Sequence, residues 1–486
     1  MSLPPASPTP SPSSPPAASA KPETPAPAPR SRRDLLLAMG GISATVVLVA
    51  FDSTIVTTTL PRVAQALDGM ALYAWVGSGY LMATAASIMI FGRLGDIFGR
   101  KPLIMLSLAI VALGSVGCGL SQDMMQLIMF RIIQGIGGGM MIATAFAAPA
   151  DLFPDARERV RWMALVSAAF AMASGIGPVL GGAVTEALGW RAAFAVVPIS
   201  AVFAMILIGR YFPRIRPLHD GQRHIDWGGG ILLIVAVAAP LAALQLAFGS
   251  GTARHPLIAA ALVIAAIAAL ALLVPYERRM TTPIFPLRIL RPLESRLLNV
   301  AGFGVGASMF ILIFYCPLLL QREMGFSPST AGLLMTPLVA AIPVGSILNS
   351  MLFPKQSEPQ RLMVFGGLAL AAGCVMVLFI HPGMPVWWIL ASFFVNGTAL
   401  GFMLPNLTLF MQMLSERRDV GSASALIQTT RAMGSAMGTA LVGVIISHSS
   451  VAEGIRIGLI LAAVSALMAA ALTQRVKMKN IIGKRA

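Results

Sequence analysis

The chain has 486 residues, of which 57% are hydrophobic and only 11% are charged, and its formal net charge at pH 7 is +16. This composition is too apolar for a soluble protein of that length, and it excludes a soluble enzyme. The basic residues lie in short segments between apolar runs, so the positive charge indicates membrane topology and gives no evidence of nucleic-acid binding.

Both ends of the chain are predicted to be cytoplasmic tails. Residues 1–29 contain eleven prolines among serines and alanines, and they hold too few large apolar side chains to bury the surface that folding requires. We therefore predict a disordered, proline-rich tail over residues 1–33 and a short basic tail over residues 476–486.

Long apolar runs between the tails predict fourteen membrane-spanning helices, since one span needs about 20 mostly apolar residues. The predicted spans are 35–60, 74–92, 102–120, 124–148, 160–187, 191–209, 227–249, 256–275, 296–320, 328–353, 361–381, 384–411, 420–447 and 452–473. We expect an all-α polytopic membrane protein in which two six-helix halves, 34–210 and 281–475, flank a linker, 211–280, with two extra helices.

The positions of Lys and Arg predict that both termini are cytoplasmic. With the N-terminus inside, only five of the 35 basic residues fall in external loops, and Arg131 and Arg431 lie within spans. Such an excess of basic residues marks the cytoplasmic loops of membrane proteins. The test leaves open whether 227–249 and 256–275 cross the membrane. If neither of them did, every other loop would still lie on the same side of the membrane.

One acidic residue, Asp52, lies deep inside the first predicted span. A charged side chain in hydrocarbon is costly, so such residues usually face a partner or a water-filled cavity and mark an ion or substrate path. The alternative is a structural acid that bonds a neighbouring helix.

A glycine-rich loop joins spans two and three at the predicted cytoplasmic side. Its sequence, Gly92-Arg-Leu-Gly-Asp-Ile-Phe-Gly-Arg-Lys101, resembles the loop signature of the major facilitator superfamily. The residues that this resemblance marks as an inner gate are Gly92, Asp96, Gly99, Arg100 and Lys101. Asp96 is free to meet a base or the positive N-terminus of another helix, which span thirteen offers near Val420.

The first span resembles the first-helix motif of the fourteen-span drug:proton antiporters, through Asp52, Thr54, Ile55, Val56, Leu60 and Pro61. The fourth span holds Arg131 and Gln134 in a pattern similar to the superfamily's proton-transfer motif. Asp52 and Arg131 each lie about 11 Å from the outer end of their spans at 1.5 Å per residue. We therefore expect Asp52 and Arg131 to form a direct or water-bridged pair that couples transport to protons. The alternative is an Arg131 that snorkels or bonds a neighbouring helix.

The fifth span resembles a motif found mainly in the antiporters of the superfamily, and it implies export. The residues are Gly177, Pro178, Gly181 and Gly182. The proline should kink the helix because it removes a backbone hydrogen bond, and the glycines allow a close helix contact.

Span thirteen resembles the corresponding family helix and places Arg431 near the middle of the membrane without an acidic partner in the second half. Arg431 either faces the central cavity or bonds backbone carbonyls and polar neighbours. The expected cavity lining is Thr54, Gln134, Gln428 and Arg431.

These resemblances imply a secondary active transporter that exports lipophilic drugs or related small amphiphiles in exchange for protons by alternating access. A dedicated metabolite or lipid exporter or uniporter of the same fold stays open, because a fold does not fix its ligand. A channel or a membrane enzyme is disfavoured, since the sequence has no nucleophile–base pair, metal-spaced histidine cluster or nucleotide loop.

The chain is expected to use no metal or cofactor and to bind no nucleic acid. Its expected partners are an amphiphilic small molecule, protons and the lipid bilayer of the plasma (inner) membrane. We expect a monomer and leave a periplasmic or adaptor partner open.

Overall fold

The structure is a computed structural model that describes residues 32–69, 72–153, 155–213, 226–248, 255–280, 283, 286–326 and 328–476. Apart from their innermost residues, the two predicted tails lie outside these ranges.

Fourteen long helices make up most of the described chain, and no strand occurs in these ranges. The first six are α1 Arg32–Ala66, α2 Tyr73–Phe98, α3 Arg100–Leu120, α4 Met124–Leu152, α5 Ala156–Leu188 and α6 Trp190–Tyr211. The middle pair is α7 Trp227–Phe248 and α8 Pro256–Arg279. The last six are α9 Leu293–Arg322, α10 Pro328–Leu352, α11 Gln360–Leu378, α12 Val386–Leu414, α13 Val420–His448 and α14 Val451–Gln474.

Thirteen of these helices are long and apolar enough to cross a membrane, and the remaining one, α7, has a shorter apolar stretch at Trp227–Ala243. The predicted all-α, multi-span architecture is thus confirmed. We call the helix ends that the basic residues place in the cytoplasm the inner ends.

Short turns with identifiable stop signals separate several of the helices. Gly99 (φ +87°) ends α2 and precedes α3, and Gly189 (φ +85°) does the same between α5 and α6. Both adopt a backbone conformation that L side chains rarely reach, which explains glycine at these two positions. Asp123 begins α4 by accepting a hydrogen bond from the Gln126 backbone N–H at 2.8 Å.

Each half has its own apolar core. In the first half, Ile42 and Val46 of α1 pack with Ile104 of α3 and Phe146 of α4. A larger cluster spans the second half, and all its helices contribute to it. Because the cores are largely separate, the space between the halves is where a central cavity can form.

Helices α2 and α5 of the first half contact α13 and α10 of the second half, respectively. The α2–α13 crossing is close, because a Cβ at Gly92 would overlap that of Ala425 and lie 2.9 Å from the carbonyl oxygen of Gly421. The extra helix α7 covers this seam, since its Leu241 packs with Ala85 of α2 and beside Ala432 of α13.

Candidate functional site

A buried polar cluster joins α1 to α4. Gln134 Nε2 donates to Asp52 Oδ1 at 2.5 Å, and Arg131 Nη1 lies 3.4 Å from both carboxylate oxygens. Arg131 Nη1 also donates to Gln134 Oε1 at 2.8 Å. Asp52 and Gln134 are fully buried and Arg131 is 1% exposed, so water is excluded and the three side chains bond mainly to one another. The Arg131 Nε is buried without a hydrogen-bond partner among the described residues. We call Asp52, Arg131 and Gln134 the acid cluster.

The opposite directions of α1 and α4 bring the acid cluster together, because residues equally far from the outer ends meet at one depth. Close packing helps, since a Cβ at Gly138 of α4 would lie 3.2 Å from the side chain of Val49 on α1. Taking ionised groups out of water costs several kcal/mol each, and pairing offsets this only where the geometry is good. Gln134 thus donates a hydrogen bond to the Asp52 carboxylate, whereas the sequence analysis predicted it in the cavity lining.

Tyr80 of α2 covers the arginine of the acid cluster. The Arg131 guanidinium carbon lies 4.1 Å from the centroid of the Tyr80 ring, in a cation–π contact. Tyr80 itself is 2% exposed and also lines the central cavity, whereas Asp52 does not. Tyr80 therefore separates the acid cluster from the cavity. Sequence reasoning missed this residue, because an aromatic side chain in a span is ordinarily explained by packing.

A central cavity of about 150 Å³ lies between the two halves. Its lining is Val49, Ser53, Tyr80, Leu81, Thr84, Ala85, Ile88, Ile142, Phe170, Leu241, Met309, Phe310, Phe314, Gln428, Arg431, Ala432, Ser435, Ala436 and Thr439. Two of the four residues expected there, Gln428 and Arg431, are among them. Helix α7 also reaches the cavity, through Leu241.

Thr54, the other residue expected at the cavity, lies at the crossing of α1 and α5. Its hydroxyl donates to the carbonyl of Ala50 at 2.9 Å, and a Cβ at Gly177 would overlap the Thr54 oxygen. The α1–α5 contact therefore needs a residue without a side chain at Gly177.

The other residues of the α5 motif lie on one continuous helix. Gly181 is buried and Gly182 is partly buried, with no atom within 4 Å of a Cβ added at Gly182. A kink at Pro178 stays a prediction, because the side chain of this residue lies outside the described part of the chain. The nearby Gly175 faces Val339 of α10, so this part of α5 also contacts the second half.

At the inner ends, Asp96 of α2 binds the N-terminus of α13. Its oxygens accept hydrogen bonds at 2.9 Å from the backbone N–H groups of Gly421 and Ser422, and at 3.1 Å from the Ser422 hydroxyl. A helix N-terminus attracts anions through its free N–H groups and its dipole. Arg100 pairs with Asp96 at 3.1 Å and also with Asp151 of α4. We call Asp96 with its α13 partners the inner clasp.

A second ion network lies beside the inner clasp. Asp419, just before α13, accepts from Arg93 at 3.2 Å and from Arg288 at 2.5 and 2.9 Å. The hydrogen bonds to Asp419 raise the pKa of Arg288, which keeps this guanidinium charged. Arg288 belongs to the 3-10 helix Leu287–Leu290 between α8 and α9, so the segment that follows the extra helices is tied to the inner ends. No motif in the sequence pointed to this pairing.

Two further contacts close the inner ends. Gln412 Nε2 of α12 donates to the carbonyl of Phe146 on α4 at 3.0 Å and to the Ser424 hydroxyl on α13 at 2.9 Å. Lys101 of the loop motif instead stays within the first half, since its amine donates to the carbonyls of Gly209 and Phe212, both at 2.7 Å. The structure therefore has its inner ends joined.

No group of three or more His, Cys, Asp or Glu side chains in the described ranges could hold a metal ion.

Comparison with known proteins assigns the family. The sequence profile of the Major Facilitator Superfamily matches residues 42–439 and 298–482. Multidrug resistance protein 3 of Bacillus subtilis is 29% identical over 406 residues, covering 83% of this chain and 78% of that protein. The Methylenomycin A resistance protein of Streptomyces coelicolor is 29% identical over 416 residues, covering 85% of each chain. The crystal structure of the human organic anion transporter MFSD10 (TETRAN) has a TM-score of 0.66 and 15% identity, covering 90% of this chain and all of that one. The chain is a multi-pass membrane transporter and belongs to the Major Facilitator Superfamily.

Proposed function

We propose that this transporter exports lipophilic or amphiphilic small molecules across the plasma membrane in exchange for protons. The observation that carries the proposal is the acid cluster, held one aromatic ring away from a cavity between the two halves. The names of the relatives in Bacillus and Streptomyces, a multidrug resistance protein and an antibiotic resistance protein, support export.

Asp52 is the proposed proton carrier. Burial in a medium of low dielectric constant favours the protonated carboxyl, whereas the Arg131 charge favours the ionised form. A proton on Asp52 cancels its attraction to Arg131, which releases the arginine and the Tyr80 ring above it. Movement of this ring changes the wall of the cavity, and this links proton binding to substrate binding without direct contact between the two.

The inner clasp is the proposed cytoplasmic gate. In the conformation described here it joins the halves, so substrate would be released outward and a proton would enter from the same side. Opening the inner ends requires separation of Asp96 from the N-terminus of α13. The proposed gate is thus the N-terminus of α13 in the second half, bound by the Asp96 carboxylate of the first half.

Weakening the inner clasp should open the cytoplasmic side. Asp96→Asn removes the charge from hydrogen bonds worth about 1.5 to 3 kcal/mol each, so we expect about a tenfold larger inward-open population. The measurement is alkylation of Ser424→Cys, at a position 1% exposed at the inner ends, by an impermeant maleimide in inverted vesicles. Asp151→Asn is the matched control, because Asp151 also pairs with Arg100 but belongs to the first half. Equal alkylation rates in Asp96→Asn and in the parent would exclude the gating role.

Substrate-dependent proton movement tests the proposal itself. Inverted vesicles with an acidified lumen should lose luminal protons when a transported compound is added, as reported by a pH-sensitive dye. Vesicles from cells without the protein are the control, and the panel includes cationic, neutral and anionic lipophiles. Transport of any of them without proton release would contradict exchange and would favour a uniporter.

A further inference from the structure

Within the central cavity, the described residues offer an anion a positive charge, unpaired hydrogen-bond donors and no competing acid. We propose that the transported molecules are amphiphiles with an anionic group, which Arg431 and Gln428 bind in the cavity. This inference rests on the function proposed above and names the substrate class of the same site.

Arg431 is the only charged residue among those that line the cavity. It lies eleven residues after the start of α13, or about 17 Å along the helix at 1.5 Å per residue. This depth is near the middle of a hydrocarbon core about 30 Å thick. Its guanidinium forms no ion pair or hydrogen bond with any side chain in the described ranges, and a charge in that position needs a counter-ion or water.

Gln428 adds a second free donor. It lies one helical turn before Arg431, so both side chains are on one face of α13. Gln428 is 2% exposed, and its Nε2 is buried without a hydrogen-bond partner among the described residues. An unpaired buried donor is costly, and an acceptor on a ligand would satisfy it.

The hydroxyl groups of the serine and threonine residues that line the cavity are already engaged by the protein. The hydroxyl of Thr84 donates within 3.1 Å to the carbonyls of Tyr80 and Gly135. Ser435 and Thr439 likewise donate to backbone carbonyls. The arginine and the glutamine amide therefore remain as groups that a ligand can use, together with the Tyr80 hydroxyl, which is buried without a hydrogen-bond partner among the described residues. Of these three groups only Arg431 carries a charge.

Apolar side chains, three of them phenylalanines, line most of the rest of the cavity and fit the apolar part of such a ligand. Phe310 and Phe314 of α9 stack with ring centroids 5.7 Å apart, and Phe170 of α5 lies on the opposite half. The acidic residue of the first half, Asp52, is fully buried within its own cluster and does not line the cavity. A cationic ligand would therefore meet Arg431 without a carboxylate to offset it.

Two probes with the same aromatic skeleton isolate the effect of charge. Anilinonaphthalene sulfonate carries an anionic group that phenylnaphthylamine lacks. Their binding to the purified protein in lipid nanodiscs is measured by equilibrium dialysis and corrected with empty nanodiscs. Because no proton gradient is present, failure of proton coupling leaves this measurement unaffected, and loss of the charge preference leaves the proton assay unaffected.

The expected result is a sulfonate preference that depends on Arg431. In Arg431→Gln the ratio of sulfonate to neutral-probe affinity should fall about tenfold, as for loss of one charge-assisted hydrogen bond, while Arg431→Lys should keep most of it. Arg456→Gln is the control, because Arg456 is exposed at the outer end of α14. An unchanged ratio in Arg431→Gln would overturn the proposal.

Gln428→Glu provides a second test of anion binding by Arg431, for use if Arg431→Gln fails to fold. The new carboxylate would act as an internal counter-ion for Arg431, so sulfonate binding should be lost while the neutral probe still binds. A Gln428→Glu variant that retains the full sulfonate preference would exclude Arg431 as the anion-binding group.

Discussion

Arg131→Gln is expected to destabilise the protein by about 3 to 5 kcal/mol, the cost of removing one partner from a buried ion pair. The reason is that Asp52 would remain fully buried with only Gln134 to satisfy it. Both the cation–π contact with Tyr80 and the hydrogen bond from Arg131 to Gln134 would also be lost. Stability in detergent is measured from the unfolding transition at fixed lipid and detergent concentration.

The double variant separates the effect of charge from that of packing. Asp52→Asn in the Arg131→Gln background removes the unpaired carboxylate and should recover most of the lost stability. Arg361→Gln is the control, because Arg361 pairs with Glu358 at 2.8 Å but is 73% exposed, and surface pairs contribute about 0 to 1 kcal/mol. Equal destabilisation by Arg131→Gln and Arg361→Gln would show that the acid cluster is not a tightly coupled ion pair.

The sequence predicted the pairing of Asp52 with Arg131 through residue depth, but it did not predict the side chains that complete and cover this pair. Asp52 and Arg131 are each conspicuous as charges in apolar runs. Their equal depth in antiparallel spans follows from counting residues from the outer end of each span. Predicting the position of Tyr80 also requires the rotation of α2 about its own axis. Hydropathy does not determine this rotation, because α2 has apolar residues on all its faces. For the same reason Thr54 and Gln134 were expected at the cavity and lie elsewhere.

The contacts at the inner ends were likewise only partly predictable from the sequence. The contact of Asp96 with the N-terminus of α13 follows from the acid, the side of the membrane and the start of span thirteen. Arg288 could not be placed from the sequence, since it lies in a short connection between two predicted spans, where no periodicity specifies its neighbours. The position of α7 against α2 and α13 was equally hidden, because a uniformly apolar helix has no face that specifies its neighbours.

Asp52→Asn is expected to abolish proton coupling while leaving the cavity intact. Asparagine is nearly isosteric with the protonated acid and can still accept the hydrogen bond from Gln134, but it carries no exchangeable charge. With the membrane potential collapsed, a pH difference of about one unit supports at most about a tenfold accumulation of substrate per exchanged proton. Accumulation in inverted vesicles should therefore fall from about tenfold to about one, which is the value for free equilibration.

Downhill exchange provides the test that separates uncoupling from misfolding. Because Asp52 does not line the cavity, exchange of labelled for unlabelled substrate in the absence of a pH gradient should persist in Asp52→Asn. Glu186→Gln, which removes an exposed acid at the outer end of α5, should behave as the parent in both assays. If Asp52→Asn accumulated substrate against its gradient as well as the parent at equal expression, another residue would have to carry the proton. If it lost exchange as well as accumulation while remaining folded, Asp52 would act in the conformational change itself, as a structural acid that holds α1 to α4.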